Sequence, residues 1–285
     1  MNKQPIFFMS GFPRAGTTLL MNILNQNPKL HGTPTSGLIG SVINLRDNWR
    51  SSDIYKSNTE EYVYPRIKGL LRGMMMGFYN EELINNITPI DKNRSWSGQL
   101  DLLDEIFGMK VKFIYPVRHV VDCCISIEKK NRQSTLTNHG DNGNWLNEQS
   151  TIGRAENFIK DDGVFGMPLL LLREIIYRGE ESRLIIVPYD DLLTYPKEML
   201  KGIYGRLEID SFEHDFENIK QSIVEHDLMH GFAPHSLHKI KEGKLTKPKP
   251  RDMTIYKEDY MNQIEKNRFK DITEFINKYS VINKR

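Results

Sequence analysis

The sequence predicts an α/β domain of three layers, with a mostly parallel central sheet and helices on both faces. Three observations predict it. The runs Ile6 to Met9, Val111 to Val117 and Leu184 to Val187 are short, continuous and apolar, as buried parallel strands are. Each is followed by a helical pattern, the alternation of strand–helix–strand units. A glycine-bearing turn joins the first run directly to its helix.

Taken in order, the first helix runs from about Gly16 to Asn25 and is stopped by Asn27-Pro28. Weaker strand patterns lie at Leu30-His31 and Ile87 to Ile90. Between them Ile67, Leu70, Leu71, Met74, Met75 and Phe78 recur at helical spacing, and core packing accounts for Met74 to Met76 better than an adaptable binding surface does. After the second strong run a helix begins near Val120, and after the third Pro196 opens another. Residues 131–163, rich in Asn and Gly, and 231–249, rich in Lys, His and Pro, lack periodicity and are expected to be lids or substrate loops, with plain surface disorder an equal contender. A C-terminal helix over about 260–279 places Met261, Ile264, Ile272, Phe275, Ile276 and Tyr279 on one face. With 285 residues, 39% of them hydrophobic, the chain suits one domain spanning 1–285.

Charge narrows the partners. Lys and Arg number 39 against 37 Asp and Glu, so no global field favours nucleic acid or a membrane surface, and an anion site must be local. The only cysteines, Cys123 and Cys124, are sequence neighbours, too close for an unstrained bridge, which implies reduced thiols and a cytoplasmic setting. The run Ile6 to Met9 is shorter than a signal-peptide core, and no segment is long enough to span a bilayer. Secretion and anchoring are therefore not expected. Nor is a metal, since no His/Cys cluster has ligand spacing. Oligomeric state is left open by the sequence.

The strongest motif is Gly11-Phe12-Pro13-Arg14-Ala15-Gly16-Thr17-Thr18, between the first strand and its helix. A turn there presents backbone N–H groups at a helix N-terminus, a cradle for phosphate or sulfate, and makes the domain P-loop-like. The spacing approaches GxxxxGK[ST], but Thr17 stands where that motif needs the lysine that reaches the β- and γ-phosphates. Here the cation is Arg14, whose planar guanidinium suits bidentate contact with anion oxygens, and Thr17 and Thr18 add hydroxyl donors. The segment PRAGTTLL resembles the 5′-phosphosulfate loop of the sulfotransferases, above all the PRSGTTL form of tyrosylprotein-type and bacterial members. The resemblance implies that Arg14, Ala15, Gly16, Thr17 and Thr18 bind 3′-phosphoadenosine 5′-phosphosulfate (PAPS), whose product is adenosine 3′,5′-bisphosphate. Arg118, at the end of the second strong strand, and Ser126, eight residues on, are similar to the family's 3′-phosphate site. Lys130 falls where tyrosylprotein-type enzymes carry a further basic residue.

Other segments agree with the resemblance in pattern. Lys92, in Asp91-Lys92-Asn93-Arg94, resembles the family's strand-end lysine, which stabilises charge on the transferring group. Tyr189 resembles the tyrosine packed beside the donor nucleotide, with ordinary packing an equal contender. His238 and Lys239 lie where relatives place a basic loop over the nucleotide, and a solvated basic loop is the alternative. One departure matters: tyrosylprotein-type enzymes carry a catalytic Glu after the first helix, and this chain reads Thr33-Pro34-Thr35-Ser36-Gly37. Asp91, His31 and His235 are then the candidate general bases, and an amine or ionised acceptor needs none. The expected activity is direct in-line sulfuryl transfer to a hydroxyl or amine on a small molecule, glycan or peptide. The rivals are a binding module without turnover and a P-loop small-molecule kinase.

Overall fold

The computed structural model describes residues 4–133, 150–225 and 237–280. Along the chain run β1 (Phe7–Met9), α1 (Thr17–Leu24), β2 (Leu30–Thr35), α2 (Leu38–Ser51), α3 (Asp53–Lys56), α4 (Glu60–Phe78), α5 (Asn80–Ile84), β3 (Thr88–Lys92), α6 (Leu100–Phe107), β4 (Phe113–Val117) and α7 (Val120–Arg132). They are followed by α8 (Thr151–Ile159), α9 (Gly166–Tyr177), β5 (Leu184–Pro188), α10 (Tyr189–Thr194), α11 (Pro196–Leu207), α12 (Glu258–Arg268) and α13 (Lys270–Tyr279).

The five strands form one sheet in the order β2-β3-β1-β4-β5, every described pairing parallel. Side chains alternate across a strand, and here both faces are apolar. Phe8 of β1 joins Phe113, Tyr115 and Val117 of β4 in the larger core layer, under α2, α4, α6, α7, α9 and the C-terminal helices. Phe7 and Met9 join Ile114, Ile185 and Val187 in the second layer, under α1 and α11. Below β1 the Phe8 ring lies 4.8 Å from that of Trp96 and about 6 Å from those of Phe107 and Phe113. Each such fully buried aromatic stabilises the fold by roughly 2–3 kcal/mol. The two-faced burial explains the continuous apolar runs, and Pro34 is tolerated because β2 is an edge strand.

Three details differ from the sequence reading. Within 131–163, α7 continues to Arg132 and α8 forms over nine residues, burying Ala155, Phe158 and Ile159. Three anchors are too few for a periodic signal. What holds α8 is an ion-pair cluster, in which the fully buried Glu128 of α7 takes Arg154 at 2.7 Å and Arg132 at 2.9 Å. The C-terminal segment is two helices, broken at Phe269, whose φ of −133° leaves the helical region while its ring enters the core. A short helix, α10, precedes the one opened by Pro196. Among the described residues no helix is long and apolar enough to cross a membrane. Of the two expected lids, 134–149 and 231–236 lie outside the described residues.

Candidate functional site

All five strands point their carboxyl ends at one cavity of about 650 Å³. Connections from β1 and from β4 leave in opposite directions, and a parallel sheet opens a crevice at such a reversal.

The turn after β1 follows the edge of β4 closely. Ser10 N donates to Ile114 O at 3.0 Å and Phe12 N to Pro116 O at 3.1 Å. Gly11, at φ 120°, is confined to glycine, since a Cβ there would stand 2.4 Å from Pro116 O. Arg14 takes the left-handed conformation at φ 62°, which costs a non-glycine residue of order 1–2 kcal/mol and is sustained only where the surroundings impose it. Its Nε donates to Ser126 Oγ at 3.1 Å, joining the β1 turn to α7, and its guanidinium also donates to the carbonyl of Leu237. Gly16 caps α1 at φ 80° without a side-chain cap or an acidic first turn. The amides of Thr17, Thr18 and Leu19, which have no helical carbonyl to bind, therefore face the cavity that these residues line. Ala15 is buried, and its amide closes the turn on Phe12 O at 3.3 Å.

Beyond β4, Arg118 stacks on Tyr189, with Cζ 4.4 Å from the ring centroid. The other flank of the ring meets Gly16, where a Cβ would lie 2.5 Å from it. Tyr189 thus spaces the two cationic corners. Arg118 Nε is buried with no hydrogen-bond partner among the described residues, a donor oriented for an anion. Leu237, His238, Lys239 and Ile240 also line the cavity. Lys130 lies one turn past Ser126 on α7, outside the cavity lining.

At the other end, Lys92 leaves β3 beside Thr35 of β2. Its ammonium is paired with the Glu225 carboxylate, the two side chains being 6% and 4% exposed. Glu225 also accepts from Thr35 Oγ1 at 2.8 Å and lies 3.6 Å from His238 Nε2. Burial pushes the Glu225 carboxyl up, but the charge and hydrogen bond of Lys92, with His238 and Thr35, outweigh it and hold the group below its usual range.

The three base candidates fall elsewhere. Asp91 is fully buried beneath the sheet edge and accepts from Tyr79 Oη and from Trp96 Nε1 at 2.6 Å. Burial raises its affinity for a proton, the two hydrogen bonds offset part of that, and it lines no part of the cavity. The alternation along β3 explains the error, because Lys92 faces the cavity and its neighbour must face away. His31 is half-exposed on β2, 3.6 Å from Glu82 and outside the cavity. His235 lies outside the described residues. Sequence reasoning missed Glu225, which stands 190 residues from Thr35. The available signal was Asn22, a poor residue for a helix interior. Buried in α1, its Oδ1 accepts from the amides of Ser222, at 2.5 Å, and Ile223, at 3.1 Å, fastening the segment that carries Glu225.

The model of the sulfotransferase family matches residues 5–214. Among curated proteins none matches the chain. Mouse sulfotransferase SULT7A1 complexed with PAP is similar in structure, with 16% identity, 98% of this chain and 90% of that one covered, and a TM-score of 0.51. Sulfotransferase STF9 from Mycobacterium avium shares 13% identity over 99% and 78%, with a TM-score of 0.47. The sulfotransferase domain from the Synechococcus PCC 7002 olefin synthase shares 20% over 74% and 76%, at 0.45.

Proposed function

The chain belongs to the sulfotransferase family, and we propose that it transfers a sulfuryl group from PAPS to a hydroxyl or amine acceptor by direct in-line displacement. The observation that carries this reading is the convergence of Arg14 and Arg118, from turns after adjacent strands, on one cavity with Ser126 between them.

The residues present fit the donor. The orphan Nε of Arg118 and the hydroxyl of Ser126 match a phosphate on the ribose, while the first-turn amides of α1, Thr17, Thr18 and Arg14 match the phosphosulfate. Tyr189 offers a ring beside the nucleoside and Lys239 a cation above it, while the His238 ring turns to Glu225 at the other end of the cavity. The donor supplies an activated sulfuryl group on a phosphate leaving group. Lys92 then neutralises the charge that grows on that phosphate, an effect worth about 10²–10³ in rate for one well-placed donor.

Titration with adenosine 3′,5′-bisphosphate and with ATP plus magnesium tests the reading. Tight bisphosphate binding and weak ATP binding are expected. Preference for ATP would replace the reading with a kinase, and tight bisphosphate binding without transfer to phenols, alcohols or amines would leave a binding module.

A further inference from the structure

We propose that Glu225 is the group that takes the acceptor's proton, a catalytic residue delivered by a segment beyond the family-matched residues 5–214. The inference rests on the donor reading above.

Sheet order locates the role. The 3′-phosphate contacts come from the β4–β5 side and the phosphosulfate cradle from β1, so the chain of donor atoms runs toward β3 and β2. In-line attack requires the acceptor on the far side of sulfur from the leaving phosphate. That position lies over the ends of β3 and β2, where Lys92 and Thr35 line the cavity and Glu225, directly behind that lining, bonds to both. No other carboxylate among the described residues is bonded to either side chain in this way; Asp91 faces the opposite layer.

The balance of the step is simple. As the acceptor oxygen bonds to sulfur, the bond from sulfur to the bridging oxygen breaks and its electron pair stays on the phosphate. The acceptor proton passes to a Glu225 carboxylate oxygen. Lys92 links the two halves, since the ammonium that now holds Glu225 is also the one placed to serve the leaving oxygen. Turning to the donor, it leaves the carboxylate in a buried position with Thr35 and His238 as its remaining partners, and burial then favours the protonated form. Among the described residues, the charged and titratable groups facing Glu225 are Lys92 of β3 and His238 of the cover segment. Asn22 secures the backbone two to three residues upstream, so the carboxylate is held in place rather than swinging free.

Glu225→Gln, Glu225→Asp and Glu225→Ala test this. With wild type, PAPS and phenols, Glu225→Gln is expected to lose about 10²–10⁴-fold in kcat toward phenol and far less toward 2,4-dinitrophenol, which arrives ionised. Bisphosphate affinity and melting temperature serve as controls, Glu225→Asp restores part of the rate, and formate rescues Glu225→Ala. A second readout needs no turnover. Calorimetry of bisphosphate binding in buffers of different ionisation enthalpy should show proton uptake in wild type that is missing in Glu225→Gln. Equal losses toward both phenols, with equal proton uptake, would overturn the inference and leave Glu225 as a support for Lys92. A wild type that binds bisphosphate and transfers normally while Glu225→Gln is unaffected would sink this inference alone. A wild type that fails to bind bisphosphate would overturn the donor reading and this inference with it, and one that binds it but transfers to no phenol, alcohol or amine would be a binding module and overturn this inference.

Discussion

At the β4–β5 end of the cavity the polar side chains, Arg118, Ser126 and Tyr189, belong to a strand terminus or the helix after it, whereas at the β2–β3 end Lys92 and Thr35 meet a carboxylate 133 and 190 residues further along the chain. The first end presents a guanidinium stacked on one ring and a buried donor without a partner among the described residues. The second is built around one buried ion pair, and neither partner can be altered without exposing the other. On the proposed reading, substitutions at the first end should act on nucleotide binding and those at the second on transfer, where the ion pair responds as a unit.

Substitution of Lys92 should give the largest effect. Lys92→Met is expected to lower kcat about 10²–10³-fold with a much smaller change in bisphosphate affinity. It also strands the buried Glu225 carboxylate, so the unliganded protein should lose about 3–5 kcal/mol, recovered in part by Lys92→Met/Glu225→Gln in urea denaturation. Equal stability of the single and double variants would show that the pair does not act as a unit.

Next comes the nucleotide end. Arg118→Ala should weaken adenosine 3′,5′-bisphosphate roughly 10–100-fold, the worth of a charge-assisted contact, and adenosine 5′-phosphate hardly at all, by calorimetry. Equal weakening would show that Arg118 does not read the 3′-phosphate. Gly16→Ala is expected to cost about 1–2 kcal/mol in stability for its positive φ, and more in binding, since its Cβ must displace Tyr189 from under Arg118. If bisphosphate binding survives unchanged, Tyr189 is not the spacer.

The smallest expected effect lies away from both ends. Burial lowers the His214 pKa to about 4, beside Tyr204 Oη at 3.1 Å. Unfolded histidine titrates near 6.5, so below that pH the unfolded chain binds the extra proton and folding weakens, increasingly until about pH 4. The loss from pH 7 to 6 is roughly 0.7 kcal/mol. In urea denaturation His214→Gln should flatten that part of the profile and leave nucleotide affinity unchanged.

Much of the proposed donor end was legible in the sequence because its parts are close together there. Gly11 to Thr18 is one turn, and Arg118 to Ser126 is one strand end and two helical turns, so spacing and local chemistry carry most of the geometry. Lys92 was legible as a strand-end cation, but its neighbour Asp91 was misread as a base because strand alternation was not applied to a weak strand. Helix α8 escaped because an ion-pair cluster, rather than an apolar stripe, docks it.

By itself the sequence determined the layered architecture and the turn in which Arg14 is the cation and Thr17 stands in the place of a P-loop lysine, since each depends on periodicity or on groups within a few residues. Tertiary structure alone decided what faces Lys92. The segment bearing Glu225 has no regular pattern, and it is positioned by hydrogen bonds to Asn22 in α1. Such a contact is set by the packing of distant segments around the finished sheet, and no local spacing encodes it.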